Sequence, residues 1–390
     1  MTYCRKNLKL LASLAALLLS LTPFIAYATE DLVLERVYEA ALDLPRVWFV
    51  LKRQPDGPVL KYNGRFRQNY AFLDTGASGV LLSLETAVMF DLYYDPNANF
   101  VDVGIGGDEH FYVSEPLYLG LAGFDNPKAS DPNAYQIRGP ARFQIKKTNA
   151  GLLSEPIDVI GMPAVAGQIV VLNSGSTNDL GYFTAEIKNH GDRDIPNVDF
   201  QIALRLQNFL NPNSPKNVPP LPVMSYNPVI DNISVENKGR ISKGNWLFDT
   251  GATISLISTK QAQQLGLMDK KGDPLTEPDF MLPVGGVGTM VLIPGFQVDS
   301  LTVPTLSGFN LVYKNARIGV KDIKFFAEEK GEFVILDGVF GSNFLCASAK
   351  MDSLLPSDVS KTIFNKIVLD LQKATVGFDI YDNYVQPKRN

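Results

Sequence analysis

Two carboxylates in the chain sit in matching surroundings that could let them share one reaction. Asp74 ends the run Tyr70-Ala71-Phe72-Leu73 and opens Asp74-Thr75-Gly76-Ala77-Ser78. Asp249 ends Asn245-Trp246-Leu247-Phe248 and opens Asp249-Thr250-Gly251-Ala252-Thr253, 175 residues later. In each case an apolar strand delivers a carboxylate to a place where water is scarce. Glycine then permits a tight loop, and threonine offers a hydroxyl to donate and a methyl to pack. Two such loops facing each other would bring the carboxyls together. Like charges at close range cannot both ionise easily, so one proton is held between them over a wide pH range. Such a pair is acid and base at once. Its ionised oxygen can take a proton from water while its protonated oxygen hydrogen-bonds a carbonyl. One Asp-Thr-Gly in a chain of 390 residues is weak evidence, because Asp and Gly make turns everywhere. Two copies, each after an apolar strand, are far more specific.

The elements around the two motifs repeat in the same order. Val80-Leu81-Leu82 and Ile254-Ser255-Leu256-Ile257 follow them. Helices are expected from Leu84 to Leu92 and from Thr259 to Leu267. Glycine-rich hairpin signals come next, at Gly104-Ile105-Gly106-Gly107 and Gly285-Gly286-Val287-Gly288. Each series reaches an apolar pair and a glycine: Val159-Ile160-Gly161 and Val339-Phe340-Gly341. Landmarks in one order at similar spacing suggest an internal duplication in two copies. The turn-rich stretch from Asn208 to Pro222 divides them, giving an N-terminal half over 29–210 and a C-terminal half over 211–390. Strands are expected at Val47–Leu51, Ile230–Val235 and Lys366–Leu371, and helices are few. The fold class expected is mainly β, as two related barrel-like lobes with a cleft between them.

These residues carry a family resemblance. The duplicated apolar-apolar-Asp-Thr-Gly motif, each copy with its later apolar-apolar-Gly, resembles the pepsin-like aspartic peptidases. So do the approach Asp231 to Val235 and the closing Lys366–Asp370 with Val376-Gly377-Phe378. The resemblance spans about Val47 to Phe378 in separated pieces. It implies a bilobal β-fold and peptide-bond hydrolysis, with a polypeptide as substrate. It implies that Asp74 and Asp249 are catalytic and that Thr75 and Thr250 brace the loops that Gly76 and Gly251 shape.

The sequence also departs from that family. Pepsins carry Ser or Thr after Asp-Thr-Gly; here Ala77 and Ala252 stand there, similar to retroviral peptidases. A lost donor to the ionised form leaves the pair's pKa higher, which implies a pH optimum less acidic than that of stomach pepsin. In pepsins a tyrosine precedes the glycine tip of the flap, whereas Val103 precedes Gly104. Residues 104–107 read equally as a substrate-covering flap or as an ordinary hairpin turn. Tyr112 could serve as the flap tyrosine only in a shifted alignment.

Composition narrows the alternatives. A net charge of −5 argues against a protein that grips nucleic acid. His110 and His190 are the only histidines and share no ligand spacing, so neither a metal nor another cofactor is expected. Without a paired histidine, a serine or cysteine nucleophile has no ordinary base. Asn232-Ile233-Ser234 fits a glycosylation sequon. Asp158 and Asp337 read as turn residues beside the two later glycine motifs, with a cleft-facing role open.

Arg5, Lys6 and Lys9, the apolar run Leu10 to Ile25 and the small-x-small site Ala26-Tyr27-Ala28 form an export signal over residues 1–28. The mature chain would start at Thr29, be secreted or periplasmic, and keep no stable membrane insertion. Zymogen control is not expected from the short stretch before Val47. Loss of Cys4 with the signal leaves Cys346 alone, as a buried thiol in a monomer without a disulfide. Two other functions remain open: a non-catalytic relative of the pepsin fold that binds a protein or glycan, and a duplicated β-rich envelope protein with coincidental motifs.

Overall fold

The computed structural model describes residues 30–147, 156–174, 181–209, 216–288, 290–327, 332–353 and 355–382. The expected signal over 1–28 lies outside them, as does the middle of the expected boundary, residues 210–215. From Asp31 onward the chain forms one compact unit. It is mainly β, as expected: strands are linked by two short α-helices and three 3-10 turns among the described residues.

One three-strand arrangement occurs twice. In the first copy, Asn69–Leu73 runs parallel to Val159–Ile160, and Leu81–Leu82 pairs antiparallel with that same central strand. In the second copy, Arg240–Phe248 runs parallel to Gly338–Phe340, and Leu256–Ile257 pairs antiparallel with it. The strand bearing each Asp therefore lies beside the strand ending in the apolar-apolar-Gly landmark. A Cβ on Gly161 would strike the carbonyls of Ala77 and Gly79, and one on Gly341 those of Ala252 and Ile254. Glycine at these two positions lets the backbones cross closely just behind each Asp loop.

Each copy continues into a single short helix. Leu84–Met89 is capped by the Ser83 hydroxyl, which accepts from Thr86 N–H at 3.0 Å. Thr259–Gln264 is capped likewise by Ser258, which accepts from Gln261 N–H at 3.3 Å. Both helices stop earlier than the sequence suggested, and for the same reason. Leu92 N–H donates back to Ala87 and Leu267 N–H to Ala262, closing the ends over a left-handed residue. That residue is Gly266 in the second copy (φ 73°) and Asp91 in the first (φ 49°).

The chain ends cross between the copies. Leu32–Glu35 adds a parallel strand to Asn310–Val320 in the sheet that carries Asp249. Phe364–Asp370 and Thr375–Ile380 join the sheet that carries Asp74, the first of them beside Ile169–Asn173. Phe200, Phe364 and Phe378 pack as a ring cluster, with Phe200 and Phe378 stacked 5.0 Å apart. Residues near both ends of the sequence thus seal one apolar interior. Cys346 is buried as expected, and burial pushes its thiol far up.

Asp91 holds a conformation that favours glycine, and its side chain is exposed. Asp91→Gly is expected to stabilise the chain by about 0.5–1 kcal/mol through relief of that strain. Urea unfolding reads the change; a lower midpoint at unchanged slope would contradict it.

Candidate active site

The two Asp loops meet through their threonines. Thr75 N–H donates to Thr250 Oγ1 at 3.1 Å, and Thr250 N–H donates to Thr75 Oγ1 at 3.0 Å. Each hydroxyl then donates across to the strand that delivers the opposite Asp. Thr75 Oγ1 reaches Phe248 O at 2.6 Å and Thr250 Oγ1 reaches Leu73 O at 2.7 Å. Both threonines are fully buried, so water cannot replace any of the four bonds. This lattice ties residue 73 to residue 250 and residue 248 to residue 75. It fixes the spacing of Asp74 and Asp249 directly.

Within each loop the carboxyl is clamped in the same way. Asp74 Oδ1 accepts from Gly76 N–H at 2.8 Å and from Ala77 N–H at 3.0 Å. Asp249 Oδ1 accepts from Gly251 N–H at 2.9 Å and from Ala252 N–H at 3.0 Å. Each carboxyl lies against the glycine of the opposite loop, which brings the two close enough to interact. The glycines have a steric role as well. A Cβ on Gly76 would overlap the Asp249 carboxyl, and a Cβ on Gly251 would overlap that of Asp74. Any side chain there would push the pair apart.

Electrostatics follow from this geometry. Both aspartates are half-buried at the surface, with protein packed on every other side. Burial pushes the Asp74 carboxyl up, opposed by its hydrogen bonds from Asp249, Ala77 and Gly76. Burial pushes Asp249 well above the usual carboxylate range, and the neighbouring Asp74 charge adds to it. Both carboxyls are thus harder to ionise than a free aspartate, and their apparent pKa values belong to the pair rather than to either residue.

The carbonyls behind the threonines are held differently in the two copies. Thr75 O accepts from Asn227 Nδ2 at 2.9 Å, and Asn227 Oδ1 accepts from the Ser78 hydroxyl at 2.5 Å. Thr250 O accepts from the Ser342 hydroxyl at 2.8 Å. Ser255 Oγ accepts from Gly341 N–H at 2.8 Å and donates to Asn343 Oδ1 at 2.7 Å. None of these supports stood out in the sequence. Ser342 directly follows the second apolar-apolar-Gly, so its position was visible, but its counterpart in the first copy is Met162. Asn227 lies in Tyr226-Asn227-Pro228, where nothing local signals a role.

The other sequence candidates separate. Asp158 accepts from Ser83 N–H at 2.7 Å and from the Thr86 hydroxyl at 2.6 Å, so it fastens the start of the first helix. Asp337 accepts from Asn245 N–H at 3.0 Å, on the strand leading to Asp249. Gly104 and Gly107 flank the tip Ile105-Gly106 of the hairpin formed by Tyr94–Gly104 and Gly107–Ser114. Tyr112 stacks on Tyr94 at 4.8 Å, toward the base of that hairpin and away from its tip. The hairpin instead brings a third carboxylate toward the pair. Asp102 accepts from Gln144 Nε2 at 2.9 Å and from Val103 N–H at 2.8 Å. Burial pushes its carboxyl up, and Glu109 and Asp74 add their charges to that shift. Sequence reasoning missed Asp102.

His110 Nδ1 lies 2.9 Å from Asn99 Oδ1, and His190 Nε2 lies 3.6 Å from Asp370. Among the described residues no group of three His, Cys, Asp or Glu side chains is arranged to hold a metal ion. No helix among them is long and apolar enough to cross a membrane.

No protein-family model matches the chain, and no curated protein matches it. Matches among solved structures include one titled "Crystal structure of edgp". It is 10% identical with a TM-score of 0.40, covering 87% of this chain and 96% of that one. A likeness of that size fixes neither family nor activity.

Thr75→Val keeps the side-chain shape and removes the hydroxyl. It strands Thr250 N–H and Phe248 O in a dry interior, at an expected cost of about 2–5 kcal/mol. Denaturant unfolding measures it. A loss below about 0.5 kcal/mol would show that the threonine lattice holds little.

Proposed function

We propose that this chain is an aspartic-type endopeptidase of pepsin-like, two-lobed build, with Asp74 and Asp249 as its catalytic pair. The supporting observation is the buried exchange of hydrogen bonds between Thr75 and Thr250, which holds the two carboxyls in contact. Proteins seldom bury ionisable groups against each other without use, because each is costly to charge. The lobes would divide near residue 210. The sequence of residues 1–28 supports export to a secreted or periplasmic location.

In this reading a water molecule sits between the carboxyls. Asp74, ionised, takes one proton from it. The Asp249 carboxyl donates its proton toward the carbonyl oxygen of the scissile peptide. The water oxygen bonds to the carbonyl carbon, giving a tetrahedral diol and no covalent enzyme adduct. The proton taken by Asp74 then passes to the departing nitrogen. The C–N bond breaks, and the diol proton returns to Asp249 as the carboxylic acid product forms. Ala77 and Ala252 contribute only backbone N–H groups to the aspartates, with no side-chain donor to favour ionisation further. The pair's two apparent pKa values therefore sit higher than in a site carrying such hydroxyls.

Digestion of a peptide library across mildly acidic to neutral pH tests the proposal. Cleavage should follow a bell. The acid limb marks protonation of both carboxyls and the alkaline limb marks ionisation of both. Asp74→Asn should lower kcat/KM by about 10³-fold or more, and a statine-type transition-state mimic should inhibit the parent. Unchanged cleavage in Asp74→Asn would reject the assigned pair, and a peak near about pH 2 would reject the reasoning from the alanines. A chain that cleaves nothing and ignores the mimic would leave the non-catalytic binder as the better reading.

A further inference from the structure

Segments from the two ends of the described chain wall a pocket that neither Asp loop lines. One side is residues 34–37, at the end of the strand Leu32–Glu35. The other is residues 360–364, leading into the strand Phe364–Asp370. The Ser360 hydroxyl donates to Arg36 O and ties the two sides together. The pocket holds about 240 Å³. Its deep wall is apolar: Leu34, Tyr313, Phe344 and Phe364 are buried, with Cys346 among them. Its mouth is charged, with Glu35, Arg36 and Lys361 all exposed. Glu35 stands in register with Lys314 on the neighbouring strand. Glu39 is held by Arg317 at 3.2 Å, and Asp358 lies 4.0 Å from Lys350. Among the described residues Arg36 and Lys361 enter no salt bridge, so the mouth is left with unpaired positive charge. Arg36 also holds φ 64°, a left-handed conformation costly for a residue with a Cβ. Strain of that kind gathers where a side chain has to be aimed.

We propose that this pocket binds a small amphipathic anion, with one carboxylate or similar acidic group on an apolar body, about ten heavy atoms in all. The size follows from the volume, which matches about eight waters at about 30 Å³ each. The acidic group meets Arg36 and Lys361 at the mouth through charge-assisted hydrogen bonds. The body lies against Leu34, Tyr313, Phe344 and Phe364 and leaves water behind. A neutral compound of the same shape forgoes the first contact, and a cation meets like charge. The deep end adjoins the supports of the Asp249 loop. Cys346 Sγ donates to Ser342 O at 3.2 Å, and the Ser342 hydroxyl holds Thr250 O. The proposal stands whether or not the chain cleaves peptides.

Cys346 reports occupancy without an added label. Its thiol is buried and pushed far up, so it reacts slowly, and a small neutral reagent such as methyl methanethiolsulfonate reaches it through the pocket. Mass spectrometry of the peptide containing Cys346 gives the labelling rate. Three probes of one shape separate charge from burial: 3-phenylpropionate, 3-phenylpropanol and 3-phenylpropylamine. The acid at about 10 mM, set against a dissociation constant of about 1 mM, should slow labelling about 10-fold. The alcohol should slow it less and the amine least. Equal protection by acid and alcohol would show an apolar hole with no anion site. Better protection by the amine would contradict the charge argument. Either result would overturn the proposal.

The second arm removes the charges. The variant carrying both Arg36→Gln and Lys361→Gln changes two exposed side chains and keeps the apolar wall. It should cut the acid's protection to that of the alcohol and leave the alcohol's protection as it was. Full protection by the acid in this variant would overturn the proposal. Should Cys346 stay unlabelled in the folded parent, urea unfolding decides instead. The acid should raise the midpoint of the parent and not that of the double variant. No rise in the parent, or an equal rise in both, would overturn the site.

Discussion

Two buried hydroxyl groups set the geometry of this molecule. Thr75 and Thr250 each accept a hydrogen bond from the other's backbone and each donate one to the strand bearing the opposite Asp. A threonine satisfies both demands because its hydroxyl is donor and acceptor at once. Serine could hydrogen-bond equally but would leave the methyl's space empty. Valine could fill the space but not bond. From this exchange follow the contact of the carboxyls, the need for Gly76 and Gly251, and the shared proton. The strands, helices and terminal crossovers serve to bring two loops close enough for it.

The copies are alike where geometry is strict and unlike where it is loose. Both use an Asp-Thr-Gly-Ala loop, a parallel neighbour ending in glycine, and a serine-capped helix of six residues. They differ in how the threonine carbonyl is satisfied. One uses Asn227 from a distant strand and the other uses Ser342 from the following turn. They differ too at the helix end, where Gly266 stands in one copy and Asp91 in the other. Two matching loops need the same hydrogen bonds, but any donor within reach can make them. The electrostatic asymmetry is related. Loops with matching clamps still cannot carry two equal charges in contact, so one carboxyl holds the proton.

Much of this was legible in the sequence, because the informative features are local. Apolar runs before Asp74 and Asp249, and the pairs Val159-Ile160 and Val339-Phe340, announce buried strands by residue type alone. Their glycines mark close approaches that only glycine allows. The mainly β character followed from the same short runs. Other features are set by contacts across hundreds of residues and leave no local trace. Asn227 looks like any polar residue near a proline. Asp102 lies in an alternating strand beside Val101 and Val103 and reads as an outward-facing carboxylate until the hairpin folds over Gln144. The pairing of Leu32–Glu35 with Asn310–Val320 joins segments nearly 280 residues apart, and no periodicity predicts it. The glycines at 104–107 and 285–288 signalled two turns. Nothing in either turn alone said that Gly106 and Gly288 would form a bridge.

The shared proton is open to a direct test that needs no substrate. A carboxyl whose folded pKa lies above its unfolded value stabilises the fold fully below the unfolded value, about 3.9. That stabilisation is lost as pH rises toward the folded value. Burial and the Asp74 charge put Asp249 in this class. Asp249→Asn keeps an oxygen for the Gly251 and Ala252 N–H groups and cannot ionise. Unfolding free energies of the parent and of Asp249→Asn, measured by urea at steps from about pH 4 to pH 7, isolate the effect. The parent should lose stability relative to the variant as pH rises, with the gap opening steadily across that window. A gap that stays constant, or one that closes, would show that folding does not raise the Asp249 carboxyl and would contradict a proton held on the pair at these pH values.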